Sequence, residues 1–295
     1  MTPPTPSPRP DRDDGRTAPR RMELIPSTMG AGPASSVPQP TMGLLGMLRS
    51  DEPEGATLAD QVASRLESAI AMGILAEGTR LPPEPKLAAV LGSSPMTLRS
   101  ALASLRSRRL IATSRGRGGG SVVRRYPGPS ASDITNRLLA TGTEGLRDCG
   151  DLYTAVASTA AELAADRADD GEVARLEEII AALSTARSDT EFWRMLAQLV
   201  VAIGVASQSS KLTSALLQIQ VELAALRPTE PDLLGDTGAV AARLQRLVSA
   251  IRCRDGSTAA AEARLHCRSD ITALIDYRLR LLIEIGASDD ETQQK

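Results

Sequence analysis

Arg99 lies in a run of residues whose types suit contact with a polyanion. The run begins Ser94-Pro95-Met96-Thr97-Leu98-Arg99, and a serine followed by proline is typical of a helix start. The apolar positions that follow recur at helical spacing: Leu98, Ala101, Leu102 and Leu105. That spacing leaves Met96, Thr97 and Arg99 on the exposed face. An arginine there can bind guanine O6 and N7 or a phosphate, the Ser94 hydroxyl can donate to phosphate, and Met96 and Thr97 can meet base edges.

A second basic segment lies a few residues further along the chain. The hexapeptide from Arg115 to Gly120 alternates arginine with glycine and stands between two β-prone runs within 111–123. Glycine lets the backbone approach a duplex closely, and arginine suits the minor groove or the flanking phosphates. We therefore predict DNA contact by the tip of this hairpin, at Arg115, Gly116, Arg117 and Gly118.

The elements that must position these side chains can be identified from capping and turn residues. Thr57 can cap a first helix that Gly73 ends, and Pro82 and Pro83 exclude helix before Glu84. A short second helix then stops at Gly92, and the helix that carries Arg99 runs to about Ser107. Two helices around a tight turn, followed by a basic hairpin, constitute a winged helix-turn-helix. Double-stranded DNA is the predicted partner.

Charge is divided between the two halves of the chain. Residues 56–126 carry 11 Lys/Arg against 4 Asp/Glu, whereas residues 133–287 carry 16 against 22. A basic module beside an acidic one indicates that nucleic-acid contact is confined to the first. The three cysteines show no CxxC pairing and no apolar run is long enough for a membrane span, so we expect a cytoplasmic protein with free thiols. No catalytic constellation and no nucleotide-binding loop is present, which argues against an enzyme.

The domain organisation follows from composition. Residues 1–55 hold 11 of the 19 prolines and are predicted to be a disordered tail. Residues 56–126 form the winged helix-turn-helix, 127–132 a linker, 133–287 an all-helical domain and 288–295 a polar tail. The fold class is therefore mainly α, with a winged helix-turn-helix followed by a helical bundle.

These residues resemble the GntR family of bacterial transcription regulators. The shared pattern includes Gly73, Leu81-Pro82, Glu84, Gly92, Ser94, Arg99, Ala101-Leu102, Leu105 and the glycine-rich hairpin tip. Many members carry a basic residue where Pro85 and Pro95 stand here, which implies a different operator or a weaker grip on it. The helical domain is similar to the family's FCD effector-binding class, in the pieces 158–180, 189–212 and 247–271.

The FCD resemblance implies a ligand pocket whose usual anchors have changed. Most of that class place an Asp, three His and an Arg around a metal and a ligand carboxylate. The corresponding positions here are Asp189, Trp193, Leu244, His266 and Tyr153. Tryptophan and leucine cannot ligate a metal, so we expect no metal and no cofactor, only a remnant effector pocket lined by these five residues. For His266 and Trp193, ordinary core packing remains an alternative.

The resemblance and the residues together predict a DNA-binding transcription regulator. We expect a repressor that binds a palindromic operator as a homodimer, and either a metal-independent apolar effector or no small-molecule response. The alternative is a ligand-independent accessory or architectural DNA-binding protein, whose helical domain serves protein–protein interaction. A ligand that shifted both thermal stability and operator affinity would distinguish the two.

Overall fold

The computed structural model describes residues 39–49, 55–114, 120–186, 188–227 and 236–293; the side chains of 39, 40, 189 and 288–293 are outside this description. In chain order the elements are α1 (Gln39–Met47), α2 (Leu58–Ala71), α3 (Glu84–Leu91), α4 (Pro95–Ser107), β1 (Ile111–Ser114), β2 (Gly120–Val123), α5 (Ala131–Arg167), α6 (Asp170–Leu183), α7 (Asp189–Ala206), α8 (Ser210–Ala224), α9 (Thr237–Arg252) and α10 (Gly256–Gln293). The fold class is as predicted, a winged helix-turn-helix followed by a helical bundle.

The first domain is built from α2, α3, α4 and a small sheet. Thr57 and Asp60 form a capping box at the start of α2, and Gly92 ends α3 in the left-handed conformation at φ 63°. The turn into α4 requires that conformation, which glycine adopts without strain. Strands β1 and β2 pair antiparallel, and Arg80 bridges to Val122 on the outer edge of β2. The segment between α2 and α3 therefore anchors the base of the β1–β2 hairpin, which is the wing of this domain.

Helix α1 corrects the prediction of a disordered tail over residues 1–55. Met42, Leu44, Leu45 and Leu48 are all at most 4% exposed, and α1 packs on α2, α3 and α8. The Arg65 guanidinium donates to the Leu45 carbonyl oxygen at 3.3 Å. The prediction was wrong for residues 39–48 because four apolar side chains gain burial in a groove that only the folded domains provide. Residues 1–38 lie outside the described residues.

The second domain is a bundle in which α5 and α10 form the central antiparallel pair. Gly142 has non-helical angles (φ 71°, ψ 170°) and kinks α5 where the sequence predicts a break between helices. A Cβ on Gly150 would lie 2.9 Å from Ile271 Cγ1, and the buried faces of both helices are rich in alanine. Small side chains at the contact therefore let α5 and α10 pack closely.

The two domains share an apolar contact. Val201 and Val205 of α7, with Leu217 and Val221 of α8, join the buried cluster of the first domain. The Gln198 amide donates to the Met72 carbonyl oxygen at 3.1 Å. The bundle therefore holds the DNA-binding module by packing as well as by the covalent connection.

Two boundaries differ from the predicted ones. The linker expected over 127–132 ends earlier, because the Ser130 side chain caps α5 and the helix begins at Ala131. The predicted polar tail over 288–295 is helical as far as Gln293, since no proline interrupts α10. Across the described ranges, no helix is long and apolar enough to cross a membrane.

Candidate nucleic-acid interface and helical-domain cavity

Helix α4 presents the predicted contact residues at its exposed N-terminal end. The Ser94 hydroxyl accepts a hydrogen bond from the Thr97 backbone N–H at 3.1 Å and lies 2.9 Å from the Thr97 hydroxyl. Met96 is 79% exposed. The inward face of α4 is fully packed by Leu98, Ala101, Leu102 and Leu105. The first turn of α4 is therefore fixed by its cap and its core contacts, with polar and apolar groups left facing solvent.

Arg99 is on the same face and is held by an exposed ion pair. Its Nε donates to Glu84 Oε2 at 2.8 Å, with the Arg99 side chain 69% exposed. Because Glu84 opens α3, the pair links the two helices of the helix-turn-helix. Exposed pairs of this kind contribute about 0–1 kcal/mol, so Arg99 can exchange Glu84 for a base or a phosphate at little cost.

The structure describes the two strands of the wing. Ile111, Ala112, Thr113 and Ser114 pair with Val123, Val122, Ser121 and Gly120, and the Thr113 and Ser121 hydroxyls lie 2.9 Å apart. The predicted DNA-contacting tip residues Arg115, Gly116, Arg117 and Gly118 lie outside the described residues.

The two arginines at the C-terminal end of α4, unlike Arg99, contact groups inside the domain on helices α2 and α4. Arg106 Nε donates to the Leu102 carbonyl oxygen at 3.1 Å, and Arg108 is ion-paired with Glu67 of α2. The Arg108 pair braces α4 against α2, so these two side chains are engaged within the domain.

In the helical domain, two of the five predicted pocket residues meet around one cavity. Tyr153 and His266 both line it, with ring centroids 6.3 Å apart in an edge-to-face arrangement. The cavity measures about 10 Å³, which is room for about one water molecule. An organic effector would need the surrounding helices to move apart.

The other three predicted pocket residues do not join this cavity. Leu244 is fully buried in the bundle core but does not line the cavity. Trp193 is half-buried and lines a separate cleft between the domains. The side chain of Asp189 lies outside the described residues.

His266, the only histidine in the chain, is buried in an electrostatically unfavourable setting. Burial lowers the pKa of His266 to about 4, and the Asp270 carboxylate offsets that effect only in part. Among the described atoms neither ring nitrogen has a hydrogen-bond partner. His266 is therefore neutral at pH 7.

A buried ion pair that the sequence analysis did not identify lies one turn from His266. Arg227 Nη2 donates to Asp270 Oδ2 at 2.5 Å, and both side chains are 3% exposed. Arg227 Nη1 also approaches Gln220 Oε1 at 3.4 Å. Asp270 follows His266 by four residues on the inward face of α10, and this spacing could have indicated it. Arg227 stands beside proline-rich sequence without a periodic pattern, so nothing indicated its burial.

The donor atoms around His266 do not fit the divalent metal that the FCD resemblance implies. The nearest carboxylate, Asp270, is committed to Arg227, and burial raises the pKa of the Cys267 thiol well above its usual range. Trp193 and Leu244 carry no ligating atom. One imidazole without a free anionic partner makes a poor site for a transition metal.

Two family descriptions match separate segments of the chain. Residues 58–120 match the family described as bacterial regulatory proteins, gntR family, and residues 149–269 match the FCD domain. The chain is similar to RmpR of Mycobacterium gastri, named as an HTH-type transcriptional regulator, with 35% identity over 164 residues. That match covers 56% of this chain and 60% of RmpR.

Two bacterial proteins are among the solved structures that the chain matches. E. coli McbR/YncC is 20% identical with a TM-score of 0.46, over 75% of this chain and 98% of that one. Streptococcus agalactiae GntR is 21% identical with a TM-score of 0.40, over 73% of this chain and 99% of that one.

Proposed function

Because residues 58–120 match the gntR family of bacterial regulatory proteins and residues 149–269 match the FCD domain, we propose that the chain is a sequence-specific DNA-binding transcription regulator. The relative in Mycobacterium gastri is named as an HTH-type transcriptional regulator, which agrees with this proposal. We further propose that it binds a palindromic operator as a homodimer and represses transcription in the cytoplasm, where bacterial DNA lies.

The observation that carries the proposal is the exposed N-terminal end of α4. Ser94, Met96, Thr97 and Arg99 stand together there, on a helix whose opposite face is packed by leucine and alanine. A recognition helix needs this division, because its inward face must be rigid while its outward face enters the major groove. We assign base contact to Arg99 and Met96, and phosphate contact to Ser94 and the wing arginines.

The test is DNA affinity measured with a duplex selected from random sequence. Arg99→Ala should cost about 1–3 kcal/mol on that duplex if Arg99 reads a base, and much less on unrelated DNA. Glu84→Gln should not weaken binding, since it releases Arg99 from a weak surface pair and removes a negative charge near phosphate. Arg264→Gln is the matched control, because Arg264 is an exposed arginine on α10 far along the chain from the interface. If Arg99→Ala lost the same affinity for selected and for unrelated DNA, Arg99 would not contact a base.

Support for a homodimer comes from apolar side chains on α10 that the described chain leaves uncovered. Leu265, Leu279, Leu282, Ile283 and Ile285 are between 42% and 72% exposed. A second copy of the chain that packed on this stripe would bury it, as two-fold dimers bury a shared patch. Ile283→Glu should shift sedimentation equilibrium toward monomer, whereas Leu58→Glu, at a similarly exposed leucine on α2, should leave it unchanged.

We favour repression over activation because repression requires only that the protein occupy promoter DNA. A regulator that occupies promoter DNA excludes polymerase without any further contact. Transcription from a template carrying the selected duplex in its promoter should therefore fall as the protein is added, and a rise would contradict this part of the proposal.

A further inference from the structure

A cleft of about 660 Å³ separates the DNA-binding domain from the helical domain. Its walls come from α2, the end of α4, residues 126–130, the start of α5, α7 and the end of α8. Small-molecule sites typically measure about 300–1,000 Å³, so the cleft has the size of a ligand site. The cavity beside His266 is far smaller, at about 10 Å³.

Two aromatic rings line the cleft beside apolar groups. Trp193 is held in place by an edge-to-face contact with Phe192, whose ring centroid lies 5.1 Å away. The Arg227 guanidinium lies 5.0 Å from the Trp193 ring centroid. Tyr126 also lines the cleft and is half-buried, and burial raises the pKa of its phenol, so it stays uncharged at neutral pH. The cleft thus offers pre-positioned aromatic surface to a flat apolar body.

The charged residues of the cleft leave an excess of positive charge. Four arginines line it against two carboxylates. Arg108 is paired with Glu67 and Arg227 with Asp270, whereas the second carboxylate, Asp133, accepts a hydrogen bond from the Ser130 hydroxyl, with 2.6 Å between the oxygens. Among the described residues, Arg137 and Arg194 form no salt bridge. The Asp133 carboxylate keeps its charge and interacts electrostatically with Arg137, so Arg137 and Arg194 together outnumber the one remaining carboxylate of the cleft.

We propose that this cleft binds a small organic anion with an aromatic body. Arg137 on α5 and Arg194 on α7 would hold the anionic group, because guanidinium pairs strongly with carboxylate or sulfonate oxygens. Trp193 and Tyr126 would contact the aromatic body. This site is distinct from the His266 cavity inside the bundle, and it needs no metal.

The position of the cleft gives its ligand a means to act on DNA binding. Its walls belong to both domains, so a ligand that fits one domain arrangement better than another would favour that arrangement. This consequence rests on the proposed function, whereas binding in the cleft does not.

The test uses 1-anilinonaphthalene-8-sulfonate, an aromatic anion, and N-phenyl-1-naphthylamine, the same ring system without the sulfonate. Trp193 is the only tryptophan in the chain, so quenching of its emission reports probe binding from a single donor, and the variants locate the bound probe. We expect one saturable sulfonate site per chain, with quenching of Trp193 emission. The double variant Arg137→Gln, Arg194→Gln should weaken sulfonate binding by about tenfold or more and leave the neutral probe's affinity nearly unchanged.

Two further variants keep the test decisive. Ala224→Phe should block both probes, because Ala224 lines the cleft. Arg264→Gln should change neither probe's affinity. Sulfonate binding that survives the double variant, exceeds one site per chain, or quenches no Trp193 emission would overturn the proposal. Measuring selected-DNA affinity with and without the sulfonate probe separates the two claims: failure to bind DNA refutes the proposed function alone, and failure to bind the probe refutes the cleft alone.

Discussion

The buried imidazole of His266 predicts a specific loss of stability on acidification. Burial holds the pKa of His266 at about 4 in the folded chain, whereas an unfolded histidine titrates near 6.5. Between these two values the unfolded state binds more protons than the folded state, so the free energy of unfolding falls as the pH falls. Stability from this residue is complete above about pH 6.5 and is lost progressively toward pH 4.

The magnitude follows from that difference in pKa. Lowering the pH from 7 to 5 should cost about 2 kcal/mol through His266 alone. Because the chain has a single histidine, the variant His266→Leu removes the effect without touching any other imidazole. Carboxylates also titrate toward low pH, but their contribution is common to both proteins and cancels in the comparison.

The assay is urea unfolding of the full-length chain at pH 7 and pH 5, at one protein concentration. Wild type should lose about 2 kcal/mol more than His266→Leu over this interval. At pH 7 the variant should be at least as stable as wild type, because leucine leaves no buried polar atom without a partner. The same pH dependence in both proteins would refute the account of His266 as a buried neutral residue.

Three further predictions concern packing. Leu45→Ala in α1 should cost about 2–5 kcal/mol in urea unfolding, whereas Leu58→Ala at an exposed site should stay within about 0.5 kcal/mol; equal effects would mean that α1 is not docked. Asp270→Asn should cost about 3–5 kcal/mol by leaving Arg227 buried without its anion, and a stable variant would show that the pair is open to water. Gly73→Ala should lower the melting temperature more than Gly78→Ala. Both glycines have positive φ, but of the two only Gly73 would bring a Cβ against a neighbour, Gln198 Nε2 at 2.7 Å. Equal shifts in melting temperature would refute the tight interdomain contact.

The helix-turn-helix was predictable because its signals are local. Thr57, Pro83, Gly92 and Ser94 each fix a helix end through their own backbone or side chain, so sequence spacing sufficed. Helix α1 was missed for the opposite reason. Proline, and not a capping residue such as serine or aspartate, precedes α1 in the sequence, and the helix contains two glycines. Only the groove formed by α2, α3 and α8 makes its burial favourable.

The candidate pocket was predictable only in part. Tyr153 and His266 meet because α5 and α10 are antiparallel neighbours, and the FCD resemblance assigns both residues to one pocket. The placement of Trp193 in the interdomain cleft depends on how the two domains dock, and no local pattern encodes that docking. Arg227 and Asp270 pair across 43 positions of sequence, so their pairing also required the tertiary structure.

The central claim is that α4 and the wing read a DNA sequence. The most direct measurement is selection from random double-stranded DNA by the purified full-length chain, with the bound fragments sequenced. We predict enrichment of one short motif with two-fold symmetry, whose half-sites are spaced by about one helical turn or a multiple of it. Recovery of fragments that share no motif, from protein shown to be folded, would contradict the claim.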